Sequence, residues 1–251
     1  MRRQTQFSFV RSQGRHLRLL IMCLIFLTGL VYTARGQECS PPKDARDDWE
    51  LTSVDVSSLA EDIGNPRTID HETEELNGED AKLATTTDMH ALYDVPLRSF
   101  EEVIRDINEH EDFVPRIEES DVICSDGKPA TYARVHHDLS FKFLFFGSDY
   151  SYRVHYFIDD TIEDEGVFRT WWTLEESIDG AMSEITGSWY FERVEIDGTE
   201  YTYVRYATRT HFRETVAGLK RAFQRFGARD VARMMDAMRD EAVTRAAVVK
   251  R

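Results

Sequence analysis

Apolar positions change their spacing three times along this chain. From Leu19 to Ala34 they are nearly continuous, "LLIMCLIFLTGLVYTA", behind Arg2, Arg3, Arg11, Arg15 and Arg18. A run of 16 residues is short for a membrane span and suits the core of a secretory signal. Small residues at Ala34 and Gly36 place a cut after Gly36. Residues 1–36 are therefore expected to be a signal peptide, with an uncleaved N-terminal anchor as the alternative. From 37 to 82 apolar positions become sparse. Thirteen acids fall between Asp44 and Asp80, and Pro41-Pro42 and Gly64-Asn65-Pro66 punctuate the stretch. That composition predicts a largely flexible acidic segment. Its exception is "DDWEL" at 47–51, where one tryptophan beside a leucine suits a short docked helix.

Regular periodicity begins at Ala84. "ATTTDMHALYDV" reads as a strand, ended by Pro96. Ser99, with Glu102 three residues later, forms a capping-box pattern. Phe100, Val103, Ile104 and Ile107 then share one helical face. This helix must stop before Phe113-Val114-Pro115, because the residue preceding a proline avoids the helical region. Alternating, aromatic-rich segments follow from "SDVIC" to "EYTYVRYATRTHF", and Asp197-Gly198-Thr199 marks a tight hairpin between the last two. A final helix is predicted over roughly Thr215 to Ala246. Leu219, Phe223, Phe226, Met234, Met235 and Met238 supply its apolar side, with a kink at Gly227. No other element is long enough to cover a curved sheet. The expected architecture is α+β: a curved antiparallel sheet of six to seven strands wrapped around a long C-terminal helix, in a domain spanning 83–251.

The composition narrows the choice of partners. A net charge of −15 disfavours a nucleic-acid backbone as a partner. Of three cysteines, Cys23 leaves with the signal. Cys39 and Cys124 can then either pair in an oxidising compartment or stay free. Export through a bacterial-type inner membrane, to the periplasm or beyond, is the expected location.

The segment "VPLRSFEEVIRDINEHEDFVPRIEESDVI" resembles the START-like, helix-grip superfamily, in its polyketide cyclase, aromatase and coenzyme Q-binding branch. Phe113, Pro115 and Ile117 stand where that superfamily turns from a short helix into the next strand. "GSWYFERVEIDGTEYTYVRYATRT" is similar to its penultimate hairpin. The resemblance covers roughly Thr85 to Ala246. It implies a helix-grip fold with a cavity between sheet and long helix, holding a lipid, quinone or other apolar ligand.

On that basis Phe113, Tyr152, Tyr156, Trp171, Trp189, Tyr206, Met234 and Met238 are the candidate ligand-binding residues. Strand parity puts Tyr152 with Val154 and Tyr156, and Trp171 with Val167 and Thr173. The plain alternative is that these rings only fill a core. No catalytic set emerges: neither Gly-x-Ser-x-Gly nor His-Glu-x-x-His occurs. The adjacent His136 and His137 must point to opposite faces, so the two rings cannot hold one metal together. No metal and no cofactor are expected. Arg221, Arg225, Arg229 and Arg233 recur every four residues. They form either an ordinary solvated face or a stripe suited to an anionic membrane surface or to the chain's own acidic segment. The function expected is non-enzymatic binding or transport of a hydrophobic ligand. A cyclase- or hydrolase-type enzyme and an interaction scaffold with a filled cavity remain the alternatives.

Overall fold

A computed structural model describes residues 39–43, 54–143, 146–214 and 218–249. The expected signal peptide and "DDWEL" lie outside the described residues. Eight strands form one sheet: β1 (Arg67–Glu75), β2 (Leu83–Tyr93), β3 (Ile117–Ser125), β4 (Tyr132–Phe143), β5 (Phe146–Thr161), β6 (Val167–Ser177), β7 (Met182–Ile196) and β8 (Thr199–Phe212). Their order is β1-β2-β8-β7-β6-β5-β4-β3, with every neighbouring pair antiparallel. The helices are α1 (Leu97–Arg105), α2 (His110–Phe113), α3 (Ile162–Glu165) and α4 (Leu219–Val249). This is the helix-grip arrangement. No helix among the described residues is long and apolar enough to cross a membrane.

The sheet has eight strands where six to seven were expected, and the additional strand is β1. It comes from the stretch whose composition suggested flexibility. β1 escapes pattern reading because its outward residues, Thr68, Asp70, Glu72 and Glu74, carry no apolar signal. Its backbone ladder to β2, from Arg67 opposite His90 to Glu75 opposite Leu83, holds it instead.

Helix α1 begins three residues earlier than the Ser-x-x-Glu pattern suggested. Pro96 occupies the N-cap without a side-chain hydrogen bond, and Ser99 lies inside the first turn, buried, its N–H donating to the Pro96 carbonyl. Proline tolerates this boundary because it has no N–H to satisfy. Phe100, Val103 and Ile104 face the core as their spacing requires, and Ile107 follows in a short 3-10 turn. The Asp197-Gly198 turn has positive φ at both residues (53° and 77°), the two-residue geometry favoured between twisted strands.

Two apolar layers result. The large one lies between the inner face of the sheet, α1 and α4, where Leu219, Phe223, Met235, Met238 and Ala242 are buried. Gly227 has a packing role. A Cβ there would stand 2.7 Å from Cε1 of His71, so the missing side chain lets β1 approach the helix. On the outer face a 3-10 turn, Val56–Asp62, lays Leu59 against Leu92 and Tyr203. Beside that small cluster a charged network is sealed from water. Arg205, 2 % exposed, donates from Nε and Nη2 to the two oxygens of Asp88, each at 2.9 Å. Asp88 also meets Nε2 of His90 at 2.9 Å, and His90 Nδ1 meets the Tyr203 hydroxyl at 2.8 Å. A disulfide joins Cys39 to Cys124, with Cα atoms 5.8 Å apart, and ties the start of the described chain to β3.

Candidate functional site

A cavity of about 220 Å³ lies between the inner face of the sheet and α4. Most of its wall is apolar. Tyr152 and Tyr156 come from β5, Trp189 from β7 and Tyr206 from β8, because strand alternation turns these positions inward. Met234 and Met238 reach it from α4. Six of the eight candidate residues are thus brought to one cavity. Trp189 packs on Tyr206 with ring centroids 4.7 Å apart, so some of these rings also do the core filling that the plain reading assigned to them.

Phe113 and Trp171 do not reach the cavity. Phe113 packs half-buried, edge-on to His110 at 5.8 Å, while its neighbours Val114, Pro115 and Ile117 line the wall. Trp171 lies on the outer face, stacked on Phe157 at 5.2 Å. Its neighbour Trp172 faces inward, parallel to the Tyr156 ring at 6.1 Å. Two adjacent tryptophans leave strand parity open, and the deciding residue is across the ladder. Trp172 pairs with Gly187, and a Cβ on Gly187 would stand inside the indole's van der Waals envelope. Only a glycine lets that ring lie flat over the strand.

The polar groups of the wall are few and mostly satisfied. His71 Nδ1 meets Thr87 Oγ1 at 2.9 Å and its Nε2 meets the Phe223 carbonyl at 3.0 Å. The Tyr156 hydroxyl and Thr170 Oγ1 lie 3.0 Å apart. At the corner before β3, Arg116 adopts φ +77° and reaches across to Asp230 of α4 at 3.0 Å. His110 Nε2 meets the Val103 carbonyl at 3.1 Å, and His137 enters from β4. Burial pushes the imidazoles down, His110 to about 4 and His137 to about 3. Burial likewise pushes the Tyr206 hydroxyl up to about 12 and raises Tyr152 and Tyr156. His110, His137 and these tyrosines are therefore neutral at pH 7, and the Arg116–Asp230 pair stands as an ion pair at the corner of an otherwise apolar wall. His71, His137, Trp172 and the Arg116–Asp230 pair were not among the candidates from sequence.

His136 and His137 do point to opposite faces. Yet His136 and Asp138, two residues apart, share the outer face with Glu119 of β3. Their ligand atoms lie within 4.8 Å of one another, a geometry the comparison of adjacent rings overlooked. Glu119 is exposed and hydrogen-bonded by Asp121, which raises its carboxyl. The four arginines of the stripe are exposed on α4. Arg225 lies over the Phe226 ring at 5.5 Å and Arg233 is 3.5 Å from Asp230. The acidic stretch meets α4 through Lys220, paired with Glu75 at 3.2 Å, one residue before the first arginine of the stripe.

No protein-family model matches the chain, and no curated protein matches it. Several solved structures are similar in fold. One is a protein of Thermus thermophilus, 11% identical, TM-score 0.49, covering 63% of this chain and 97% of that one. Another is the Zhui aromatase/cyclase of a Streptomyces species, 15% identical, TM-score 0.48, covering 65% and 96%. A STAR-related lipid transfer protein fragment of Xanthomonas axonopodis is 11% identical, TM-score 0.49, covering 68% and 98%. These likenesses are of fold alone.

Proposed function

We propose that this protein binds or carries a hydrophobic small molecule in the cavity between sheet and α4, without chemical turnover, outside the cytoplasm. The observation that carries the reading is the wall itself: aromatic and methionine side chains around about 220 Å³, with its charged groups Arg116 and Asp230 paired to each other. Removing apolar surface from water at roughly 25 cal/mol per Å² supplies the drive for capture. Methionine side chains adapt to differing ligand shapes. The Cys39–Cys124 bond supports an oxidising compartment, and the N-terminal apolar run supports export. The exposed arginine stripe supports a contact with anionic membrane, where a lipid cargo would be collected or delivered.

The test is native mass spectrometry and solvent extraction of the purified protein, beside an Ile185→Trp variant. Ile185 is buried in the cavity wall, so an indole there fills the space. An apolar compound retained by the wild type and lost from the folded variant is the expected result. A wild type that is repeatedly empty, and that takes up no apolar probe, overturns the reading.

A further inference from the structure

Four threonines interrupt the inner face of the sheet. On the paired strands β2 and β8, Thr85 stands opposite Thr210 and Thr87 opposite Thr208. The rows on either side are Leu83 with Phe212 and Met89 with Tyr206. Strand alternation turns all of these residues inward, and the four threonines line the cavity. Hydroxyls in an apolar interior are costly unless they are hydrogen-bonded. Two of the four are satisfied by the protein. The Phe223 carbonyl can only accept, so His71 Nε2, 3.0 Å away, carries the proton. His71 Nδ1 then accepts from the Thr87 hydroxyl at 2.9 Å. Thr208 donates to the Thr186 carbonyl at 3.1 Å. Thr85 and Thr210 are different. Neither hydroxyl has a hydrogen-bond partner among the described residues, and neither is sealed off as the unpartnered hydroxyls of Thr73 and Tyr93 are. Both keep accessible surface, on residues set into the cavity wall, Thr85 buried and Thr210 half-buried.

We infer that Thr85 and Thr210 hold the uncharged polar head of an amphipathic ligand, donating hydrogen bonds to its carbonyl or hydroxyl oxygen, while its apolar body lies toward the aromatic side of the cavity. This rests on the reading that the cavity holds a ligand. The two uncommitted protons are the donors of the threonine block, because those of Thr87 and Thr208 are already placed. An anionic head would leave water for neutral hydroxyls: the one guanidinium in the wall, Arg116, is engaged by Asp230 at 3.0 Å. An ammonium head would likewise find Asp230 already paired. An uncharged oxygen meets neither obstacle, and its desolvation is offset by the donors it gains. The direction of the body follows from the ladder. Next to Thr210 across the sheet stands Ile185 of β7, and next to Thr208 stands Gly187, with the Trp172 ring against it. Beyond them lie Trp189 and Tyr156. The cavity therefore has a hydroxyl side on β2 and β8 and an aromatic side on β5 to β7.

Three probes of one shape test the inference: 2-acetylnaphthalene, 2-ethylnaphthalene and 2-naphthoate. Each is titrated, by quenching of tryptophan emission, into the purified protein and into its Thr85→Val, Thr210→Val and doubly substituted variants. Valine suits a strand and removes only the hydroxyl. The wild type is expected to prefer the ketone to the hydrocarbon and to reject the naphthoate. Each single substitution should reduce the ketone preference about 5-fold, the worth of one neutral hydrogen bond, while 2-ethylnaphthalene binds at least as well as before. A second measurement needs no variant. The infrared carbonyl stretch of the bound ketone should lie below its value in hexane, and in the double variant it should rise toward that value. A stretch equal to the hexane value in the wild type overturns the assignment. So does a ketone preference, or a stretch, unmoved by the double substitution, the result expected if water alone satisfies these hydroxyls. Naphthoate binding as tightly as the ketone overturns the uncharged head. Each of these outcomes leaves the cavity reading standing, whereas failure of every probe to bind the wild type overturns both.

Discussion

Replacing Gly227 with alanine should destabilise the protein, although the same change in an ordinary helix interior stabilises it by about 1 kcal/mol. The difference is His71. The new methyl group would stand 2.7 Å from Cε1 and 3.0 Å from Nε2 of a ring held at both ends, by Thr87 and by the Phe223 carbonyl. Clearing the clash costs about 1–3 kcal/mol of overpacking, or the two hydrogen bonds at about 1 kcal/mol each. Set against the helix gain, Gly227→Ala should lose up to about 2 kcal/mol. With His71→Ala in the background the obstacle is gone, and the same substitution should gain about 1 kcal/mol. Urea unfolding of the four proteins, followed by tryptophan fluorescence, closes this double-mutant cycle. The sign of the Gly227→Ala effect must reverse between backgrounds. A stabilisation of equal size in both would refute the close seating of β1 on α4.

Two other consequences are open to measurement. Arg205→Met leaves the Asp88 carboxylate buried without its bidentate partner, and should cost about 3–5 kcal/mol. Asp88→Ala added to it should recover part of that loss, and a double variant as unstable as the single one would contradict the buried-charge account. The depressed histidines make a pH prediction. His110 and His137 are neutral in the fold down to about 4 and about 3, whereas the unfolded chain takes up protons near 6.5. Their contribution is therefore complete above about pH 6.5 and is lost as pH falls toward about 4. Each adds a slope of at most about 1.4 kcal/mol per pH unit. Stability measured from about pH 7 to about pH 4 should fall about one proton less steeply in His110→Gln than in the wild type, and parallel curves would contradict it.

What the chain discloses before folding depends on whether one side of an element is apolar. The face of α1, the Asp197-Gly198 hairpin and the methionines of α4 all carry such a signal, and all stand where it puts them. β1 does not. Its outward side is charged and its inward side is held by His71 and by the ladder to β2, so composition alone favours flexibility. Ser99 shows a local motif losing to its surroundings. Pro96 starts the helix first, and Ser99 is left in a buried turn. The Trp171-Trp172 pair could have been resolved from sequence only by asking which strand offers a glycine to lie under an indole, and Gly187 does. His137 was weighed as half of a metal pair with His136. That question hid an imidazole that stands in the cavity wall.

The sheet is open, with β1 and β3 at its edges, the place where another chain could add a strand; at β3 the N–H groups of Ser120 and Val122 already donate to the side chains of Glu111 and Asn108. Both edges are guarded by the same sign of charge. β1 exposes Asp70, Glu72, Glu74 and Glu75, and β3 exposes Glu118, Glu119 and Asp121. A second copy adding strand to strand, in either order, would set carboxylate against carboxylate along the seam. These edge carboxylates thus act as a barrier to edge-on assembly, and acid or concentrated salt, by neutralising or screening them, is where fibre-like association should first appear.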